Sequence, residues 1–358
     1  MIVKNEAHVI ERCLQSVLPY IDAWCIVDTG SIDGTQDIIR FFLKDLPGKL
    51  HERPWRNFGA NRTEAIRLAE TSADYLLFLD ADEEFLAPAA YVFPPLTADA
   101  YSLTLRLGNT SYWRLHMVST RLRWRYEGVL HEYLECDTKY ASDKLHGPTV
   151  ASYGDGGRSQ GVDVAEKYRR DALVLEAALK TEPDNRRYVF YLAQSYRDSN
   201  QVEKSLAAYL RRSEMGGWDE EVWYSLREAA NLSVSLGLPH EVVVERFLRA
   251  FQFRPSRAEP LVYLAAYHRG RKEFALAHLF ARASTQIPRP DDLLFIDESC
   301  YEWRATDEFA IASYYCGDYA ASKQANEDLL ASSTLPESER ARVEANLQFA
   351  LTALSGKA

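Results

Sequence analysis

The chain has 358 residues, 47% of them hydrophobic and 26% charged, a balance ordinary for globular protein. At ~150 residues per domain there is room for about two. A net charge of −10 and a pI near 5.4 argue against a nucleic-acid-binding protein, which carries a basic face. They leave a nucleotide-sugar site open, because one metal ion there outweighs many surface acids.

The five cysteines, Cys13, Cys25, Cys136, Cys300 and Cys316, are scattered and form no Cys-x-x-Cys pair. That suits a reducing cytoplasm and offers neither a disulfide framework nor a cysteine zinc site. The N-terminus runs straight into Lys4, Asn5 and Glu6, and no signal peptide is expected. No apolar run approaches the ~20 residues of a membrane span.

Met1 to Val3 reads as a short strand with Asn5 and Glu6 at its carboxyl end. Val9, Ile10, Cys13, Leu14 and Val17 repeat at helical spacing, and Pro19 is expected to end that helix. A second strand, Ala23 to Val27, closes in Asp28-Thr-Gly-Ser31-Ile-Asp33-Gly34-Thr35, followed by a helix to Leu43. Asp28, at a strand end, is placed to accept hydrogen bonds from a ribose or a base. Asp33 and Thr35 fit an Asx-turn and helix cap better than a ligand role.

Leu50 to Arg53 reads as a third strand and Ala60 to Ala69 as a helix. Asn57 is either a polar anchor or an N-cap. Arg62, near a helix start, meets either a phosphate or a neighbouring carboxylate.

Tyr75 to Leu79 is a short apolar run that reads as a strand buried on both faces. Asp80 and Asp82 follow with one residue between them. On an extended chain such residues face the same way. Ligands of open α/β sheets lie beyond the strands' carboxyl ends, and paired carboxylates there suit Mg²⁺ or Mn²⁺. The alternative is an acidic turn.

Strands are expected over Tyr101 to Leu107 and Arg114 to Ser119. The segment Tyr153-Gly-Asp-Gly-Gly-Arg158 reads as a glycine-rich link into the second half.

Five motifs occur in order: Ile2-Val-Lys-Asn-Glu6, Asp28 to Thr35, Asn57-Phe-Gly-Ala-Asn-Arg62, Asp80-Ala-Asp-Glu-Glu84 and Gly128-Val-Leu-His-Glu132. Together they resemble the family 2 glycosyltransferases of GT-A fold. The subgroup is similar to lipopolysaccharide-core glucosyltransferases and to proteins with a tetratricopeptide tail. Peptide S-glycosyltransferases that modify bacteriocins look like more distant relatives. The resemblance covers roughly residues 1 to 160.

It implies a Rossmann-like mixed sheet and an inverting, metal-dependent transfer from a nucleotide-sugar, UDP-linked for choice. Glu6, Asp28, Asn57, Arg62 and Asp80 would bind the donor. Asp80 and Asp82 would hold Mn²⁺ or Mg²⁺, with His146 as a further ligand or His131 in its place. Glu132 would be the catalytic base. Ile32 departs from the threonine or serine expected in its turn.

From Val164 onward the pattern is helical. Tyr191-Leu-Ala193 recurs as Tyr263-Leu-Ala265, and Pro183 as Pro255, both 72 residues on. That is about twice the ~34-residue tetratricopeptide period. Four degenerate helix-turn-helix units are expected, the last acting as a cap. The expected division is a glycosyltransferase domain over 1–160 and an all-α tetratricopeptide-like domain over 161–358. The repeats either hold a peptide or protein acceptor or serve as support and a homo-oligomer contact.

The leading expectation is therefore a cytoplasmic glycosyltransferase whose acceptor is either a peptide or protein or a saccharide. One alternative is a catalytically inactive scaffold that binds a protein partner. A nucleotidyltransferase fits less well, because Asp28-Thr-Gly-Ser31 lacks the basic residue such a phosphate loop wants.

Overall fold

A computed structural model describes residues 1–107, 110–157, 161 and 163–356. The chain divides into two compact units, Met1–Thr181 and Glu182–Ala358. Residue 160, where the expected division falls, lies outside the described residues, as does Arg158 of the glycine-rich stretch.

The first unit runs β1 (Ile2–Val3), α1 (Ile10–Val17), β2 (Trp24–Asp28), α2 (Thr35–Phe42), β3 (Gly48–Glu52), α3 (Phe58–Ala69) and β4 (Tyr75–Leu77). It continues with β5 (Glu83–Leu86), β6 (Ala100–Leu107), β7 (Thr110–Ser119), β8 (Trp124–Glu127), β9 (Tyr133–Cys136), β10 (Ser142–Ser152) and α4 (Val164–Thr181). A parallel sheet has the order β1-β2-β3. A mixed sheet has the order β4-β7-β6-β10-β5, with β10 parallel to β6 and the other pairs antiparallel. β8 and β9 pair separately.

The core of the parallel sheet follows from periodicity. Ile10, Cys13, Leu14 and Val17 form the buried stripe of α1. Ile10 and Leu14 pack with Val3, Ile26 and Ile39. Each such side chain contributes about 1.5–3 kcal/mol when buried. Pro19 does not stop the chain from coiling. A 3-10 turn, Leu18–Tyr20, carries it at its start, where a missing N–H costs nothing.

The apolar run before the acidic residues differs from expectation. β4 ends at Leu77 and is only half-buried. It is an edge strand, paired with β7 alone, and it borders a cavity of about 590 Å³ lined also by Met1, Cys25 and Ala65.

The second unit is entirely helical between its turns: α5 (Arg186–Asp198), α6 (Val202–Glu214), α7 (Asp219–Ser235), α8 (His240–Phe253), α9 (Glu259–Gly270), α10 (Phe274–Ser284), α11 (Ala305–Tyr315), α12 (Tyr319–Ala331) and α13 (Glu337–Leu354). A π-helical turn, Cys300–Arg304, leads into α11. Each helix packs on its successor, and α7 also meets α9, α9 meets α11 and α11 meets α13. This is a helix-pair repeat array, as expected. The closing element is the single helix α13 after four pairs, rather than the fourth pair itself. The 72-residue offset is visible in the backbone: Asn200 and Lys272 both take left-handed φ, 60° and 62°, in matching turns. No helix among the described residues is long and apolar enough to cross a membrane.

Candidate active site

The loop after β1 and the loop after β2 are stitched together. Asn5 N–H donates to Ser31 Oγ (2.8 Å), Glu6 N–H to Thr35 Oγ1 (2.8 Å) and Ala7 N–H to Asp33 Oδ2 (3.0 Å). Asn5 Oδ1 accepts from the Ile32 N–H (2.9 Å), so the exposed Ile32 serves through its backbone. Asp33 makes the expected Asx-turn, accepting from the Thr35 N–H at 3.1 Å, but the cap position of α2 falls on Gly34, which has no side chain to cap with.

Asp28 ends β2 and is almost fully buried. Its Oδ1 accepts from the N–H groups of Gly30 and Ser31, both at 2.9 Å, and from Gln36. Its Oδ2 is buried without a hydrogen-bond partner. A buried carboxylate oxygen left unpaired costs about 1–3 kcal/mol or more. One oxygen is spent on the turn and the other is available to a ligand.

Asn57 is the N-cap of α3, its Oδ1 accepting from the Ala60 N–H at 2.8 Å. Gly59 follows because of a close approach: a Cβ there would lie 2.3 Å from the Gly128 carbonyl oxygen. This contact brings the loop bearing Glu132 against the start of α3.

One turn later, Arg62 reaches two carboxylates. Its Nη2 lies 2.5 Å from Asp80 Oδ1 and its Nε 2.6 Å from Glu132 Oε1. Glu64 is not its partner; Glu64 pairs with Arg53 and Arg56. Burial pushes the Asp80 carboxyl up, but Arg62 and Arg114 outweigh it and hold Asp80 below the usual range.

Asp80 and Asp82 do not share one environment. The strand has already ended, and Asp80 to Glu83 form a turn closed by Glu83 N–H to Asp80 O (3.1 Å). Strand alternation therefore does not apply to the pair. Asp80 faces Arg62, whereas Asp82 meets Glu6. A Cβ on Gly156 would lie 3.3 Å from both Asp82 Oδ2 and Glu6 Oε2, so these two carboxylates border the same backbone position. Burial and Asp80 push Asp82 up; burial and Asp82 push Glu6 up. Two carboxylate oxygens, each disfavoured as an anion, fit a hard divalent cation.

The glycine-rich stretch is part of this site. Gly157 N–H donates to Glu6 Oε2 (2.9 Å). A Cβ on Gly157 would sit 2.3 Å from the Asn5 carbonyl oxygen, which only glycine allows. Asp155 holds Arg12 at 2.9 Å, and its carbonyl lies 2.7 Å from His8 Nε2. Composition suggested a link; the backbone is instead clamped over the β1 end.

The histidines stand apart. Ser152 of β10 pairs with Glu83, and His146 is six residues farther along, roughly 20 Å at ~3.3 Å per residue. It is exposed and packs against Trp113, ring centroids 5.3 Å apart. His131 is exposed, with a φ of 51°. Among the described residues, Asp80 and Asp82 with either histidine do not bring their ligand atoms within 4.8 Å of one another. Asp80, Asp82 and Glu6 do not form such a group of three either; the carboxylate nearest to Asp82 across Gly156 is that of Glu6.

Sequence reading also missed Glu83 and Arg114. Glu83 is buried, accepts from the Asp80 N–H (2.9 Å) and from Arg114 Nη2 (2.6 Å), and is pushed up to about 7 by burial and Asp80. The run of acids after β4 was the available signal.

Beside these residues lies a pocket of about 610 Å³, lined by Lys4, Glu6, Thr29, Asn57, Gly157 and Arg170 among others. It sits at the carboxyl ends of β1 and β2, where such sheets take ligands, and its size suits a small-molecule site.

A class of protein is thereby defined: an α/β unit with acidic side chains gathered beyond its strand ends. Residues 1–90 match the family model described as "Glycosyl transferase family 2". The chain therefore carries a family 2 glycosyltransferase domain at its N-terminus. The matched stretch contains Glu6, Asp28, Asn57, Arg62, Asp80 and Asp82 and stops before Glu132.

A TPR repeat-containing protein of Synechococcus elongatus is 40% identical over 90 residues, 25% of this chain and 21% of that protein. The SPbeta prophage-derived glycosyltransferase SunS of Bacillus subtilis is 24% identical over 234 residues, 60% of this chain and 52% of SunS. The chain thus spans between a fifth and about half of these relatives. Among solved structures, a tetratricopeptide repeat protein from Parabacteroides merdae matches 53% of this chain and 71% of its own, at 17% identity and a TM-score of 0.39.

Proposed function

We propose that this protein is a glycosyltransferase that moves a sugar from a nucleotide-sugar, UDP-linked, to an acceptor with inversion at the anomeric carbon. The observation that carries the reading is that the Asp82 and Glu6 carboxylates both border Gly156, beside the pocket at the ends of β1 and β2. The free Oδ2 of Asp28 would take the nucleoside. Arg62 holds Asp80 in place and keeps its own charge near the diphosphate.

A divalent cation, Mn²⁺ or Mg²⁺, bound by Asp82 and Glu6 would offset the charge of the departing diphosphate. Glu132 is the base in this reading. An acceptor hydroxyl oxygen attacks the anomeric carbon, its proton passes to Glu132, and the nucleoside diphosphate leaves from the opposite face. Arg62, 2.6 Å from Glu132, orients the carboxylate. The helical repeats are assigned the acceptor, a peptide or protein.

The test is a thermal-shift screen of UDP, GDP, CDP and TDP, each with Mn²⁺ and with EDTA. UDP with Mn²⁺ should raise the melting temperature, since a ligand bound only by the native state stabilises it. Asp82→Ala should remove that rise, and Glu132→Gln should keep it while transfer falls by about 10²–10⁴-fold. No shift with any nucleotide would overturn the reading.

A further inference from the structure

The four turns that close the helix pairs share one backbone. In each, an N–H bonds the carbonyl five residues earlier: Gln201 to Tyr196, Leu238 to Ser233, Glu273 to His268 and Asp318 to Ser313, at 2.8–3.0 Å. The residue before each donor is left-handed: Asn200, Gly237, Lys272 and Gly317. Turn geometry therefore asks for no particular side chain at the first or last position. Only the third turn pairs a histidine with a glutamate there, and it alone faces another histidine.

That neighbour is His240, the first residue of α8. His268 lies in the last turn of α9 and Glu273 precedes α10. Among the described residues, these three are the one group of His, Cys, Asp or Glu whose ligand atoms lie within 4.8 Å of one another. His268 is 1% exposed; its Nδ1 is 2.6 Å from Glu273 Oε2, and its Nε2 is buried with no hydrogen-bond partner. The ring nitrogen that His268 can share with Glu273 in one ligand set is Nδ1, which already faces the carboxylate at 2.6 Å.

The surroundings fix the group. Glu273 Oε1 accepts from Arg271 Nε at 3.0 Å, leaving Oε2 toward the histidines. His240 Nδ1 lies 3.3 Å from the Tyr267 hydroxyl, and Tyr267 stacks on the His240 ring at 5.7 Å. Phe280 stacks on His268 at 5.5 Å. A hydrogen bond on the far ring nitrogen is how proteins orient a metal-ligating histidine.

We infer that His240, His268 and Glu273 form a binding site for a late first-row divalent cation, Zn²⁺ above all. Two imidazoles and one carboxylate are a zinc donor set, whereas Mg²⁺ wants an all-oxygen shell. Tetrahedral zinc brings ligand atoms to roughly 3.4 Å of one another. Metal binding would open the 2.6 Å contact between His268 Nδ1 and Glu273 Oε2 and draw in the half-buried His240 ring, whose ligand atom lies within 4.8 Å of the others. Three protein ligands leave a fourth position for water. Bound metal would staple the start of α8 to the α9–α10 turn.

The test is equilibrium dialysis of the full chain against micromolar Zn²⁺, with melting temperature followed in Zn²⁺ and in EDTA. One zinc equivalent should survive Asp82→Asn, which separates it from the donor site. It should weaken at least tenfold in His240→Ala and in Glu273→Gln. Zinc should raise the melting temperature of the wild type and of neither variant. Mg²⁺ should do none of this. If a variant fails to fold in EDTA, the other still reads the site. Zinc binding and zinc stabilisation unchanged in both variants, or no zinc held by the wild type, would overturn the assignment.

Discussion

In the helical unit, Glu259 is fully buried and lies 2.6 Å from Arg257, itself fully buried. Arg212 and Glu221 make a similar pair at 2.8 Å. Arg197 and Arg227 flank Glu228, whose carboxyl burial would raise but whose two guanidinium neighbours hold below the usual range. In the α/β unit, Asp82 and Glu6 are pushed up, and among the described residues no arginine side chain pairs with their carboxylates as Arg62 pairs with Asp80. These buried carboxylates of the helical unit each face a guanidinium, whereas the half-buried Asp82 and Glu6 are raised, which fits the cation proposed for them.

The largest expected effect breaks the guanidinium-paired side. Arg257 stacks on Trp223 at 3.7 Å and also holds Asp292 at 3.0 Å. Arg257→Ala leaves Glu259 and Asp292 without that cation and should cost about 3–5 kcal/mol, read by urea denaturation. Glu132→Gln should leave stability nearly unchanged by comparison.

Next comes the close approach that seats the Glu132 loop. Gly59→Ala puts a methyl group against the Gly128 carbonyl. It should cost about 1–3 kcal/mol by overpacking and weaken transfer as well. Unchanged stability with full transfer would mean the loop does not depend on this contact.

A pH effect sharpens the comparison further. The folded Glu83 carboxyl is raised to about 7 from an ordinary value of 4.5. A raised carboxyl contributes stability that is present below the unfolded value and lost as pH climbs through the folded one. The denaturation midpoint should therefore fall between pH 5 and 8, and Glu83→Gln should flatten that fall.

The smallest effect is on the Asp82 side. Metal-free Asp82→Asn should be more stable than wild type at pH 8, by under about 1 kcal/mol, because Asp82 is raised in the fold. The gain should vanish near pH 3, where the carboxyl is protonated in both states. Loss of stability at pH 8 would mean that Asp82 is already compensated.

Local chemistry made much of this legible. Asn57 as an N-cap, Asp33 and Thr35 as turn residues, the stripe of α1 and the 72-residue recurrence each rest on residues a few positions apart. Hydrogen-bonding reach and helical spacing constrain these before any packing occurs. The ordered motifs pointed to Asp28, Asp80 and Asp82 as candidates, and the proposed reading uses Asp28 and Asp82 directly.

Only the tertiary structure decided which charges meet. Glu6 and Asp82 are 76 residues apart in sequence. They become neighbours because Gly156 and Gly157 fold over the end of β1, a contact set by backbone clearance and not by composition. Arg62 had several carboxylates within plausible reach, and the approach of Gly59 to Gly128 gave it Glu132. His146 had the right chemistry for a metal ligand, but its register on β10 carries it away from Asp82. His240, His268 and Glu273 look unremarkable as sequence; three helix ends bring them together.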